Sequence, residues 1–261
     1  MHLDTLGSAV NVLNAIPSAL MTDIDGTISR IVARPDDAMV SDSARESLRS
    51  IASELALVAV VTAREESVAR SLVGLDSVAY VGNYAVDGDV ELVQGVQPLE
   101  HAKADVKELL ADLPCVELEE KGISFALHYR NCTEEDVRQR LLSLVVPLAT
   151  EAGARIIEGK RVVELVPAGL PDKGTAVAKL SSDYGLQGIV FIGDDFSDVA
   201  VFREIARRRE EEGLPGLSIA VIDAETDDAV RDAADVSVAG VDEVEVLLAA
   251  LAQSIAKGGA P

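Results

Sequence analysis

Ser18-Ala-Leu-Met-Thr-Asp23-Ile-Asp25-Gly-Thr27 sets an apolar run directly before two acids and a glycine. The run is short and uncharged up to Asp23, which predicts a buried strand that ends on a carboxylate. The next apolar run, Leu55-Ala-Leu-Val-Ala-Val-Val61, is apolar at every position, the pattern of a parallel strand covered on both faces. Helical periodicity over Asp42 to Glu54 lies between the two, a short helix is expected at Val68 to Leu72, and Val78 to Val81 reads as a third strand. Strand and helix alternate, so the expected fold class is α/β, a Rossmann-like doubly wound parallel sheet.

Near Pro98 the rhythm changes. Leu99 to Leu110 reads as a helix, Cys115 to Glu120 and Ile123 to Arg130 as a hairpin, and Thr133 as the cap of a helix running to about Thr150, kinked or ended by Pro147. Arg155 to Glu158 and Arg161 to Val166 form a second expected hairpin. The order α-β-β-α-β-β predicts an inserted α/β domain over residues 98–168, within a core made of 1–97 and 169–261. Hinges are expected near 96–99 and 167–171. Beyond Pro171 the sequence predicts a helix at Lys173 to Asp183, a strand at Gly188 to Ile192, a helix over Phe196 to Glu212, strands at Leu217 to Ile222 and Asp235 to Val238, and a closing helix from Val241 to Ala256.

The 261 residues carry a net charge of −22, which argues against nucleic acid or an anionic membrane surface as partner, since phosphate backbones call for a basic patch. Solubility accounts for such acidity, as does adaptation to a salty cytoplasm. No apolar stretch reaches the ~18 residues of a membrane span, and no secretory leader is visible. Cys115 and Cys132 are too few for a disulfide framework and read as inert, small apolar residues in a reducing cytoplasm.

Four segments carry candidate chemistry. Asp23 and Asp25, two residues apart at a strand end and turning on Gly26, suit a hard oxygen-ligated cation such as Mg²⁺, with one acid free to attack phosphorus and the other to protonate a leaving oxygen. An acidic helix cap is the competing reading. Val61-Thr62-Ala63-Arg64 ends the second strand; the Thr62 hydroxyl and Arg64 can bind a phosphoryl group, or Thr62 can cap a helix with Glu65 at capping-box spacing. Pro171-Asp172-Lys173-Gly174 places a lysine at a helix start, unfavourable for the macrodipole unless an anion compensates; an ordinary solvated lysine is the alternative. In Gly193-Asp194-Asp195-Phe196-Ser197-Asp198, three acids crowd a strand end and repel one another unless a cation neutralises them, although a helix N-terminus also welcomes acids.

D-I-D-G-T, V-T-A-R, D-K-G and G-D-D-F-S-D, in this order, resemble motifs one to four of the haloacid dehalogenase-like (HAD) phosphatases. An α/β insertion between motifs two and three resembles the C2 type of cap. Within it, Glu119-Glu-Lys121 with His128-Tyr-Arg130 looks like the E-x-K…H-Y-R segment of the trehalose-6-phosphate phosphatases, and Gly159 to Pro167, with Glu164, resembles their second cap hairpin. The chain departs from that family at Gly82-Asn83-Tyr84-Ala85, where the family carries G-N-H-G.

The resemblance implies a Mg²⁺-dependent phosphoric monoester hydrolase acting on trehalose 6-phosphate. Asp23 is then the nucleophile, Asp25 the acid and base, and Thr62 and Lys173 neutralise the transferring group. Asp23, Asp25 (through its carbonyl), Asp194, Asp195 and Asp198 surround the metal, and Arg64, Asn83, Glu119, Lys121, Arg130 and Glu164 hold the substrate under a closing cap. A cytoplasmic monomer or weak homo-oligomer is expected. The alternatives are a phosphatase for another sugar phosphate, such as glucosyl- or mannosyl-3-phosphoglycerate, and a non-catalytic sugar-phosphate sensor, which would have lost Asp23 or Asp25. A receiver-type signalling domain is disfavoured because the acid pair lies on the first strand and an insertion interrupts the chain.

Overall fold

The computed structural model describes residues 3–32, 34–82, 96–120, 124–133, 136–159 and 161–258. The chain forms two compact units, Met1–Ala85 with Asp172–Pro261, and Val86–Pro171.

The larger unit is a six-stranded parallel sheet. Its strands are β1 (Ser18–Thr22), β2 (Leu57–Val61), β3 (Ala79–Val81), β8 (Gly188–Gly193), β9 (Gly216–Ile222) and β10 (Val236–Ala239), in the order β10-β9-β8-β1-β2-β3. Strand side chains alternate between two cores. Leu20, Val58, Val60, Val190, Ile192 and Ile219 face one, shared with α1 (Leu3–Leu13), α2 (Asp42–Ala52), α3 (Glu66–Val73) and α9 (Gly240–Gly258). Met21, Ala59, Val61, Ile189 and Phe191 face the other, shared with α6 (Lys173–Asp183), α7 (Val199–Arg207) and α8 (Asp228–Ala233). Every β1 residue is buried, as the unbroken apolar run requires. Each large aliphatic side chain taken out of water contributes roughly 1.5–3 kcal/mol. Strand order runs outward in opposite senses from β1 and β8, so the topological switch lies between them, where ligands bind beyond the carboxyl ends of the strands.

The smaller unit is an antiparallel sheet of β4 (Glu117–Glu120), β5 (Phe125–His128), β7 (Val162–Pro167) and β6 (Ala154–Gly159), in that order. Leu118, Phe125, Leu127, Val163 and Leu165 pack with residues of α4 (Val96–Leu109) and α5 (Val137–Ala152), among them Val106 and Leu141. Alternation therefore sends Glu119, Ala126, His128 and Glu164 to the opposite face. The doubly wound parallel sheet and the second α/β sheet are those expected from the sequence.

Several local expectations need correction. Helix α5 begins at Val137, with Asp136 rather than Thr133 in the capping position, and it continues past Pro147 to Ala152. The segment Phe196 to Glu212 is not one helix: a 3₁₀ turn (Phe196–Asp198) leads into α7, and a π turn (Arg208–Glu212) follows it. Helix α3 starts at Glu66 after Glu65, so Thr62 does not cap it. Helices α1 and α8 lacked a sequence signal: Gly7 and Asn11 dilute the first, and α8 is only six residues long. The two cysteines are not inert thiols. Cys115 and Cys132 form a disulfide with Cα atoms 5.1 Å apart. They lie at the outer ends of β4 and β5, and the antiparallel pairing of Glu117 with His128 draws those ends together. Among the described residues, no helix is long and apolar enough to cross a membrane.

Candidate active site

Asp23 is the first residue beyond β1. Its backbone N–H donates to Ile192 O at 3.0 Å, which ties it to β8 across the switch point. The chain then turns sharply: Gly26 N–H donates to Ser29 O at 2.7 Å, and Ile28 and Ser29 N–H both reach Ile24 O. Gly26 has φ +76°, and a Cβ there would stand 2.0 Å from Asp194 Oδ2. Only glycine lets the turn close so near that carboxylate. Thr27 Oγ1 donates to Asp194 Oδ1 at 3.2 Å, so the loop after β1 orients the acid after β8. Thr27 lies in the first motif, where its sequence position alone assigns it no role.

Asp198 is fully buried. Its Oδ2 accepts the N–H groups of Asp194 (2.9 Å) and Asp195 (3.0 Å), and its Oδ1 accepts from Lys173 Nζ at 2.7 Å. Lys173 opens α6, whose N-cap Asp172 accepts from Thr175 N–H at 2.8 Å. The same Nζ lies 2.9 Å from Asp23 Oδ2, and the lysine side chain is 1% exposed. A Cβ on Gly174 would stand 2.6 Å from Ala200 O, so this glycine permits the approach of α6 to α7 that delivers Lys173.

Asp23, Asp194 and Asp198 each offer a carboxylate oxygen, all within 4.8 Å of one another. Burial pushes the Asp23 carboxyl up to about 7; Lys173 opposes this, while Asp198 and Asp25 add to it. Burial alone would lower Lys173, but the charges of Asp198 and Asp23 outweigh it and hold the ammonium above its ordinary value. Three carboxylates and one ammonium leave an excess of negative charge. A hard divalent cation fits this all-oxygen donor set. Asp195 is turned elsewhere, its Oδ1 accepting from Phe196 N–H at 2.7 Å, and the Asp25 carboxylate is likewise not one of the three.

Asp25 instead meets Arg64. Arg64 Nε donates to Oδ2 at 2.6 Å and its terminal nitrogen to Oδ1 at 2.7 Å. Thr62 is buried at the end of β2, its hydroxyl accepting Arg64 N–H at 3.3 Å. In the smaller unit, His128 Nε2 lies 2.7 Å from Glu119 Oε2, and Arg130 lies 3.2 Å from His128 Nδ1. Glu164 is buried and accepts from Ser124 Oγ at 2.6 Å, a partner with no sequence signal beyond its place two residues before Ala126, which pairs with Glu164. Asn83 and Lys121, expected at the substrate, lie outside the described residues, as do Tyr84 and Ala85.

The trehalose-phosphatase family model matches residues 21–238. A trehalose-phosphate phosphatase of Mycobacterium tuberculosis is 29% identical over 215 residues, which cover 77% of this chain and 54% of that protein. An uncharacterised glycosyl hydrolase of the same organism is 30% identical over 231 residues, covering 76% of this chain and 17% of its own. The chain thus spans about half the length of the first of these relatives and a small part of the second. The C-terminal domain of Candida albicans trehalose-6-phosphate phosphatase superposes with a TM-score of 0.80 over 97% of each chain, at 17% identity, and so shares the fold.

Proposed function

This chain belongs to the trehalose-phosphatase family, and from that premise we propose that it is a Mg²⁺-dependent phosphatase that hydrolyses trehalose 6-phosphate through a phosphoryl-aspartate. The observation that carries the reading is the convergence of Asp23, Asp194 and Asp198 around Lys173 at the switch point.

An Asp23 carboxylate oxygen attacks phosphorus in line, and the bond from phosphorus to the sugar oxygen breaks. Asp25 gives its proton to that leaving oxygen. In the second step Asp25 takes a proton from water, the water oxygen attacks phosphorus, the bond to Asp23 breaks, and inorganic phosphate leaves. Thr62 and Lys173 offset charge on the transferring group. Asp23 and Asp194, with the Asp25 carbonyl, would hold Mg²⁺, which supplies charge neutralisation and orientation of the phosphoryl oxygens. Asp198 serves the site through Lys173 and the two backbone N–H groups. Glu119, Lys121, Arg130 and Glu164 are the proposed grips on sugar hydroxyls.

The test is phosphate release from a set of sugar phosphates, with and without chelator. Trehalose 6-phosphate should rank first, and chelation should abolish release until Mg²⁺ is restored. A low rank for trehalose 6-phosphate beside rapid hydrolysis of a glycosyl-3-phosphoglycerate would favour the second substrate class, which the Tyr84-Ala85 departure motivates. Binding without release from any ester would leave a sensor.

A further inference from the structure

We infer that Arg64 is a positioning residue, whose guanidinium holds Asp25 in the orientation its acid-base role demands; this deepens the reading above and rests on it. The family resemblance sets Arg64 on the substrate. Its two forward N–H groups, however, point along parallel lines to both oxygens of Asp25, at 2.6 and 2.7 Å. A planar fork that meets a planar carboxylate fixes the carboxylate's plane as well as its distance.

The fork is itself braced. Both terminal nitrogens of Arg64 lie 3.3 Å from Pro35 O, so the guanidinium spans from the loop at Pro35 to the turn at Asp25. Its root is fixed too. Arg64 N–H donates to the Thr62 hydroxyl, and the backbone of residues 64–66 packs on Gly82, where a Cβ would stand 2.6 Å from Arg64 O and 2.3 Å from Glu66 N. The arginine side chain is 16% exposed and that of Asp25 37% exposed. Asp25 sits on an open turn, outside the convergent carboxylates. The fork opposes rotation about the Asp25 side-chain bonds, and a proton donor must stay within hydrogen-bond reach of the atom it serves.

The experiment is rapid mixing of wild type, Arg64→Met and Arg64→Lys with p-nitrophenyl phosphate. Nitrophenolate leaves without a proton donor, so formation of phosphoryl-Asp23 needs little from Asp25. Hydrolysis of that ester still needs Asp25 as base. Arg64→Met should therefore release about one nitrophenolate per chain in a burst and then turn over roughly 10²-fold slower than wild type. Arg64→Lys keeps the charge and most of the stem but loses the fork, so it should show the same pattern with a smaller fall, and it carries the test should the Met variant fail to fold. Slow turnover without a burst would mean that Arg64 acts on the phosphoryl group. A raised KM at unchanged kcat would make it a substrate grip. Either outcome, or unchanged kinetics, overturns the inference. A wild type that forms no phosphoenzyme and releases phosphate from no ester overturns the phosphatase reading instead.

Discussion

Lys173 Nζ lies 2.9 Å from Asp23 Oδ2 and 2.7 Å from Asp198 Oδ1, with essentially none of the ammonium open to water. The lysine is therefore the cation around which the acidic centre folds. Lys173→Met leaves two buried carboxylates facing each other without it. Breaking such a pair costs about 3–5 kcal/mol, and, on the proposed mechanism, loss of the positive charge beside the transferring group should slow phosphate release by on the order of 10²–10³-fold. Urea unfolding in chelator, paired with phosphate-release assays, checks both. Unchanged stability would show that the ion pair is not structural.

The Asp23 carboxyl is raised from 3.8 to about 7 by burial, and the sign of the consequence follows. Well below pH 3.8, Asp23 is protonated whether folded or not, and its contribution is constant. As the pH rises from there to about 7, the unfolded chain sheds that proton while the folded chain keeps it, so the fold loses stability over this window. The metal-free thermal midpoint should fall across the window, and Asp23→Asn should flatten the part due to this group. On the proposal that Asp23 holds Mg²⁺, the cation competes with the proton and should raise the wild-type midpoint more at alkaline than at mildly acidic pH. A Mg²⁺ shift independent of pH would place the cation away from Asp23.

Asp23→Asn also removes the proposed nucleophile. Phosphate release should drop by at least about 10³-fold, while the metal-free fold at neutral pH stays as stable as wild type, because a burdened buried charge has gone. Substantial residual turnover of any ester would end the nucleophile assignment.

Gly26→Ala tests the turn. Its φ of +76° is costly for alanine, and the new methyl would stand 2.0 Å from Asp194 Oδ2. The conformational part alone costs about 1–2 kcal/mol. Displacement of Asp194 should further abolish the Mg²⁺-induced rise in thermal midpoint. An alanine variant with full Mg²⁺ response would show that Asp194 does not hold the cation.

Much of this architecture is legible in the sequence, because parallel strands buried on both faces leave unbroken apolar runs, and β1, β2 and β8 have them. The acids at their ends are legible for the same reason: Asp23 and Asp194 begin where the apolar runs stop. What the sequence hides is direction. Asp195 and Asp194 are adjacent, yet one caps a turn through Phe196 N–H and the other faces Thr27. Arg64 reads as an anion binder, and a carboxyl group does occupy its fork, that of Asp25. Spacing alone cannot distinguish a ligand's phosphate from a carboxylate that the fold delivers from 39 residues away. The cysteines show the same limit, since their count argued for free thiols while the β4–β5 register brings them together.

That disulfide supplies the last test. Cys115 and Cys132 are 17 residues apart and close a loop containing Glu119, His128 and the whole β4–β5 hairpin. Cross-linking a loop of this size removes unfolded-chain entropy worth about 3 kcal/mol. Reduction, or replacement of both cysteines by serine, should therefore lower the denaturant midpoint of the smaller unit, and the double-serine variant should no longer respond to reductant. On the proposal that this hairpin grips the sugar, KM for the sugar phosphate should rise as the clamp is released. Hydrolysis of p-nitrophenyl phosphate, which has no sugar to grip, should not follow it. Equal stability in oxidised and reduced protein would remove the disulfide from the account of the hairpin, and a parallel rise in KM for both esters would place its effect on Asp23 and its neighbours rather than on the choice of substrate.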